Sequence, residues 1–167
     1  MRMSDEKRRP RVSPSPDGHR RRGQTLVEMA LLVPVLAVLL FGVIESGRLF
    51  YAWVTVQHAA RAGTRFAVTG IGERDGTRLR QIQRTVMEAA RGLPARDLQI
   101  TIRSWHGLRG RQQLIVGSAG GPCDLVEVEV RYTFRPIIPL IARLLPQQMV
   151  LRGSDRKMNE PWMPCEP

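Results

Sequence analysis

The sequence predicts an α+β protein: one amino-terminal membrane helix continuing into a long amphipathic helix, followed by a small extracytoplasmic domain with one further helix and an antiparallel sheet. Three observations lead there. Residues 29–44 carry no charge, residues 49–67 hold an apolar stripe at helical spacing, and residues 125–134 alternate apolar and polar side chains at the period of a strand. At 167 residues, 43% hydrophobic and 25% charged, the chain has the make-up of one folded domain. Its formal net charge of +11 divides into +5 over residues 1–23 and +6 over the rest. Basicity is therefore spread out, and no single block marks a specific nucleic-acid-binding surface.

Residues 1–23 contain eight Lys/Arg, three Asp/Glu, Pro10, Pro14 and Pro16, and almost no apolar side chains. Such a segment cannot bury enough surface to offset chain entropy, so it is expected to be a disordered basic leader. It ends in Arg20, Arg21 and Arg22, directly against the apolar run, where basic residues hold a helix end in the cytoplasm.

Residues 24–45 read as the transmembrane helix. The run MALLVPVLAVLLFGVI with its flanks approaches the ~20 residues that cross a bilayer and exceeds the core of a cleavable secretory signal. Leu, Val, Ile and Phe make up eleven of those sixteen residues, which favours insertion by roughly 3 to 7 kcal/mol. Two residues break local rules. Pro34 removes a backbone donor and crowds the carbonyl of Ala30, predicting a bend there. Glu28 places a carboxylate just inside the span, where it needs the interface, the positive end of the helix or a cation.

The string RRRGQTLVE, a basic run, then Gly23, then Glu28 five residues on, then the apolar span, resembles the class III signal of type IV pilins and pseudopilins. That resemblance implies cleavage by a prepilin peptidase between Gly23 and Gln24 on the cytoplasmic side, with the apolar helix retained. It also implies that Glu28 neutralises the new α-ammonium of a neighbouring subunit. A glycine at the cut lets the backbone enter a narrow active site without a side chain. The longer stretch from Gly23 to Gly70 is similar to the amino-terminal module of TadE-like proteins, minor pilins or pseudopilins of tight-adherence (Flp) pilus systems. The matching features are the G-Q-x-x-V-E start, the early Pro34, the exit motif at Gly42, Glu45, Gly47 and Arg48, and the run at Ala59, Ala60, Arg61, Gly63 and Arg65. The position after Glu28 holds Met29 where the family more often has an aromatic.

Residues 46–68 are expected to extend the same helix, since no Pro occurs before Pro94 and turn residues first gather at 69–76. Leu49, Trp53, Val56, Ala60, Gly63 and Ala67 form the stripe, which requires a covering partner, either the chain's own domain or another subunit. At 1.5 Å per residue, residues 24–68 would span roughly 65 to 70 Å, so the distal half projects beyond the membrane. Tyr51 and Trp53 fall where an interfacial aromatic belt would lie. Residues 69–167 then form the α+β head. Thr77 is placed to cap a helix over about 78–91 with Leu79, Ile82, Val86 and Ala90 on one face, stopped by Gly92 and Pro94. Strands are expected from Leu98, at Gln113–Val116, over Leu125–Phe134, and as a final edge strand over Met149–Met158. Residues 137–145 are apolar but too short and too interrupted for a second span, and read as a hydrophobic loop or short helix near the membrane or the core.

Cys123 and Cys165 lie outside if the amino terminus is inside, where they either pair or remain thiols. With three scattered histidines they are too few and too far apart for a zinc site, and no metal or cofactor is expected. No P-loop, nucleophile elbow, H-E-x-x-H or Cys-x-x-Cys occurs, which disfavours an enzyme. The leading expectation is a TadE-like pilus-assembly protein, single-pass in the cytoplasmic membrane. Its partners would be the peptidase, other pilins, the assembly platform and membrane lipid. The alternatives are a permanently membrane-anchored extracytoplasmic domain that binds anionic partners, and an export-targeted soluble protein.

Overall fold

The computed structural model describes residues 17–106, 113–143 and 146–165, with side chains from Gln24 onward except at residues 140 and 141. In chain order the elements are α1 (Asp17–Ala67), α2 (Arg78–Ala89), a 3-10 turn at Ala95–Asp97, β1 (Leu98–His106), β2 (Gln113–Val116), β3 (Leu125–Phe134), α3 (Pro139–Ala142) and β4 (Met149–Met158). The long amino-terminal helix, one further main helix and a four-stranded antiparallel sheet make the α+β class expected from the sequence.

The chain divides into two units, Met1–Leu40 and Phe41–Pro167. In the first, Asp17–Leu40 is helix, with Leu, Val and Met side chains outward and uncovered. The helix starts inside the basic leader that composition predicts to be disordered. Pro16 is the last residue before it, and beyond Pro16 nothing forbids helix as far as Pro34. Once a helix of this length exists, adding a residue costs little compared with nucleating one, and Arg is a good helix former. Residues 1–16 of that leader lie outside the described residues. Pro34 is accommodated within α1, which continues through it as one element.

The second unit is built on the sheet, in the order β2-β1-β3-β4 with every pair antiparallel. One face carries Ile102, Val126, Val128, Val130, Tyr132 and Phe134, and the distal part of α1 and the Ile82–Val86 face of α2 cover it. The stripe of α1 is thus partnered by the chain's own head. Its members differ from the spacing by one position: Ala52, Val56, Ala59, Ala60, Gly63, Thr64 and Ala67 are buried, whereas Trp53 is 45% exposed. Close approach is the reason. A Cβ on Gly153 of β4 would stand 2.8 Å from the carbonyl oxygen of Val56, so helix backbone nearly touches strand backbone and only small side chains fit between.

α1 ends one residue before the expected Val68. α2 begins after Thr77, but the Thr77 hydroxyl makes no capping bond. It donates instead to Asp75 Oδ1 at 2.7 Å and accepts from Gln81 Nε2. β2 is an edge strand with Leu114, Ile115 and Val116 exposed, and residues 107–112 before it lie outside the described residues. The apolar segment after β3 contains α3, and its residues 144–145 lie outside the described set.

Candidate functional site

The functional residues expected from the sequence lie along α1. Gly23 falls within the helix, and Gln24, Glu28 and Pro34 follow on exposed positions. Gln24 and Glu28 stand one turn apart, and Gln24 Nε2 donates to Glu28 Oε1 at 3.0 Å. That amide is a neutral partner. In hydrocarbon a carboxylate so placed still requires a cation, and its exposure leaves it open to one.

At the other end of the apolar run the exit motif acquires a structural account. Glu45 is 2% exposed, and its Oε1 accepts from Arg48 Nη1 at 2.6 Å. The Arg48 guanidinium in turn lies 5.3 Å from the centroid of the Phe134 ring, at the end of β3. The glutamate–arginine pair, one helical turn apart, therefore ties the helix to the sheet where the apolar run stops. Glu45 Oε2 is buried with no hydrogen-bond partner among the described residues. Gly42 and Gly47 meet nothing within 4 Å of where a Cβ would stand. Within the second motif, Ala59, Ala60 and Gly63 are buried, and Arg61 and Arg65 point outward. A Cβ on Gly63 would stand 2.5 Å from Val86 Cγ2 and 3.1 Å from Val128 Cγ1, so this glycine is required by packing against α2 and β3.

Two charge clusters escaped the sequence reading. On the sheet face opposite the helices, Glu129 is fully buried, with Arg131 Nε at 2.5 Å, Arg103 Nη1 at 2.6 Å and Arg152 Nε at 2.9 Å from its oxygens. Strict alternation placed it on the solvent side, and three neighbouring arginines exclude the solvent. Burial pushes its carboxyl pKa up, but hydrogen bonds from Arg131 and Arg103 and the charges of Arg103 and Arg152 outweigh this and hold it below the usual range. The bond to Glu129 correspondingly raises the pKa of Arg103. Arg156 stacks over Trp105 at 4.0 Å on the same face.

The second cluster centres on buried Arg78. It donates to the Ala67 carbonyl from Nε and Nη2 at 3.2 and 2.6 Å, and to the Gly120 carbonyl and Glu73 from Nη1 at 2.6 and 2.8 Å. Its guanidinium also lies 4.7 Å from the centroid of Trp162. It closes the carboxyl end of α1 and seats the loop before β3. The available signal was Arg78 one turn before Ile82, on the face that becomes buried. Beside this cluster Cys123 and Cys165 form a disulfide, with Cα atoms 5.7 Å apart, and Asp124 accepts from Gly121 N and contacts His106 Nδ1 at 2.9 Å. Among the described residues no group of three or more His, Cys, Asp or Glu side chains gathers as a metal site.

Among the described residues one helix, Gln24–Ala67, contains a run long and apolar enough to cross a membrane. No curated protein and no solved structure matches the chain. Residues 23–65, from Gly23 through the part of α1 that packs on the sheet, match the family model described as TadE-like protein, so over this stretch the chain is similar to that family.

Proposed function

We propose that the chain is a minor pilin or pseudopilin of a tight-adherence (Flp-type) pilus system, trimmed between Gly23 and Gln24 by a prepilin peptidase and held in the cytoplasmic membrane by α1, with its head extracytoplasmic. The observation that carries this reading is that the TadE-like match begins at Gly23 and covers both the apolar run and the exit motif. Three features support it. Glu28 is exposed one turn from Gln24, where a neighbour's new amino terminus would meet it. Gly42 and Gly47 have open space around them, so their small size answers to no packing among the described residues and leaves bare helix surface for another pilin helix. The head offers an interaction surface, and no catalytic role is assigned to it.

The amino-terminal sequence of protein isolated from its native host tests the proposal: trimmed protein starts at Gln24. Gly23→Trp is expected to abolish trimming without affecting insertion, and normal trimming of that variant would overturn the reading. Glu28→Ala should leave insertion intact and reduce co-isolation with other pilins.

A second reading has its own observation. The sheet face away from the helices carries Arg103, Arg131, Arg152 and Arg156 around two glutamates, leaving a net positive plate of planar donors. A permanently anchored domain that binds anionic partners would use this face, and recovery of uncut protein beginning before Gly23 would favour it.

A further inference from the structure

The four-stranded sheet of the head has two edges, and the structure closes only one of them among the described residues. β4 lies against α1: Gln57 Nε2 and Thr64 Oγ1 donate to the carbonyls of Arg152 and Asp155 at 3.0 and 3.1 Å, and Gly153 brings its backbone against Val56. β2 forms the other edge, where Leu114, Ile115 and Val116 are 50, 42 and 64% exposed. Its sequence supplies no guard. Residues 113–118 read QLIVGS, with none of the charges or prolines that blunt a free edge against pairing.

The register determines which backbone groups of that edge are open. In an antiparallel pair, residues that exchange hydrogen bonds alternate with residues whose N–H and C=O point away from the partner strand. Gly117 N donates to Ile102 O at 2.8 Å, and Val116 stands opposite Arg103. Gly117 and Ile102 are therefore a bonded pair, Ile115 and Ser104 are the next, and the N–H and C=O groups of Leu114 and Val116 point outward. No hydrogen bond from another described residue reaches them. Side chains follow the same alternation. Ile115, opposite Ser104, lies on the helix-bearing face, whereas Leu114 and Val116, opposite Trp105 and Arg103, lie on the arginine-bearing face.

On the helix-bearing face Ile115 forms one wall of a cleft of about 430 Å³ that extends to Leu79 of α2, Ala119 and the imidazole of His106. Asp124 holds His106 through Nδ1, which leaves Nε2 as the open ring nitrogen. Outward main-chain groups on alternate residues, beside a cleft for the side chain between them, make the arrangement by which a sheet edge takes up an extended peptide. We propose that β2 is a docking edge for an extended apolar segment of another polypeptide, which pairs with Leu114 and Val116 and sends the side chain opposite Ile115 into the cleft. Glu73 and Asp124 in the lining disfavour an acidic side chain there, and Arg78 disfavours a basic one. Charges opposite Leu114 or Val116 would be desolvated against aliphatic neighbours, so those residues are uncharged too. A second copy of this chain fits less well. β2 paired antiparallel with itself sets Ile115 against Ile115 and leaves both clefts unfilled, and a four-residue edge falls far short of the ~1,200 Å² buried in a stable dimer.

The test uses the isotopically labelled full chain, oxidised at Cys123–Cys165, in detergent micelles. The probe is a synthetic peptide with threonine, valine, leucine, valine and threonine between terminal glutamates, and its control is the same peptide methylated at both valine nitrogens. The probe is expected to slow amide exchange several-fold at Leu114 and Val116 and to leave Ile115, already bonded to Ser104, unchanged. The methylated peptide should leave all three unchanged. Val116→Pro removes an outward donor and no bond within the sheet, so it should keep the thermal midpoint and weaken the probe several-fold. If that variant loses its fold, the methylated peptide decides, since it leaves the protein untouched. Exchange at Leu114 and Val116 that ignores millimolar probe would overturn the proposal, as would equal effects of the probe and its methylated form. Protection of both amides that grows with protein concentration in the absence of probe would identify a second copy as the occupant and would also overturn it.

Discussion

Glu129 shows how a single acid can organise a sheet face. Its two oxygens are shared among Arg103, Arg131 and Arg152, which come from three different strands. Replacing one partner of a buried ion pair costs about 3 to 5 kcal/mol where the remaining charge is trapped. Here the arginine side chains are 22 to 57% exposed, so water can take up the released guanidinium groups. Glu129→Gln is therefore expected to cost less, about 1 to 3 kcal/mol, in denaturant unfolding at neutral pH. The depressed pKa sets the sign of the pH dependence. Stability from Glu129 is fully present above the unfolded carboxyl pKa, near pH 4, and is lost as the pH falls through the lower folded value. The gap between wild type and Glu129→Gln should thus close in acid; a gap independent of pH would contradict the assignment. Gly63 makes a steric counterpart. Gly63→Val must displace the buried Val86 and Val128, and a loss of at least 1 to 3 kcal/mol is expected from the same unfolding measurement.

At the scale of elements, Arg78 joins the end of α1, the start of α2, the loop before β3 and the carboxyl-terminal segment. A lysine keeps the charge but cannot reach the Ala67 and Gly120 carbonyls with a planar fork while stacking on Trp162. Arg78→Lys is expected to cost about 2 kcal/mol, for lost hydrogen bonds to a charged donor and carbonyls left buried, with faster amide exchange near Gly120. Glu73→Gln should cost less, because that side chain is 44% exposed and water can take the place of the lost charge. The contrast between elements and clusters explains what could be read in advance. The apolar run of α1, the Ile82–Val86 face and the alternation in β3 are local periodicities, and each element falls where its period indicates. Trp53 looked like a stripe member because helical spacing cannot tell a large residue from its small neighbour. Ala52 takes the buried position because Gly153 brings a strand against the helix. Burial of Glu129 and Arg78 depends in part on Arg152, Arg103 and the Gly120 carbonyl, 23, 26 and 42 residues away in sequence, brought in through a register that no local pattern encodes. Of the candidate site, the exit motif was legible as a motif, and its attachment to Phe134 was not.

Across the whole molecule, the Cys123–Cys165 bridge returns the carboxyl-terminal segment to the loop before β3, beside Arg78 and Trp162. Its cysteines are 42 residues apart, and a closed loop of that size constrains the unfolded chain by on the order of 4 kcal/mol in the chain-entropy model. Mild reduction should lower the thermal midpoint and loosen Trp162, visible as a change in indole fluorescence anisotropy, while leaving membrane association through α1 unchanged. Cys123→Ser with Cys165→Ser should reproduce that shift. The seam between α1 and β4, closed by Thr64, Gln57 and the bare backbone at Gly153, runs along the helix axis. When the stem is tugged lengthwise, these fastenings are strained together in shear and cannot peel apart one by one, so the head resists being torn from its own rod by a load that the same number of bonds, arranged as a zipper, would not bear.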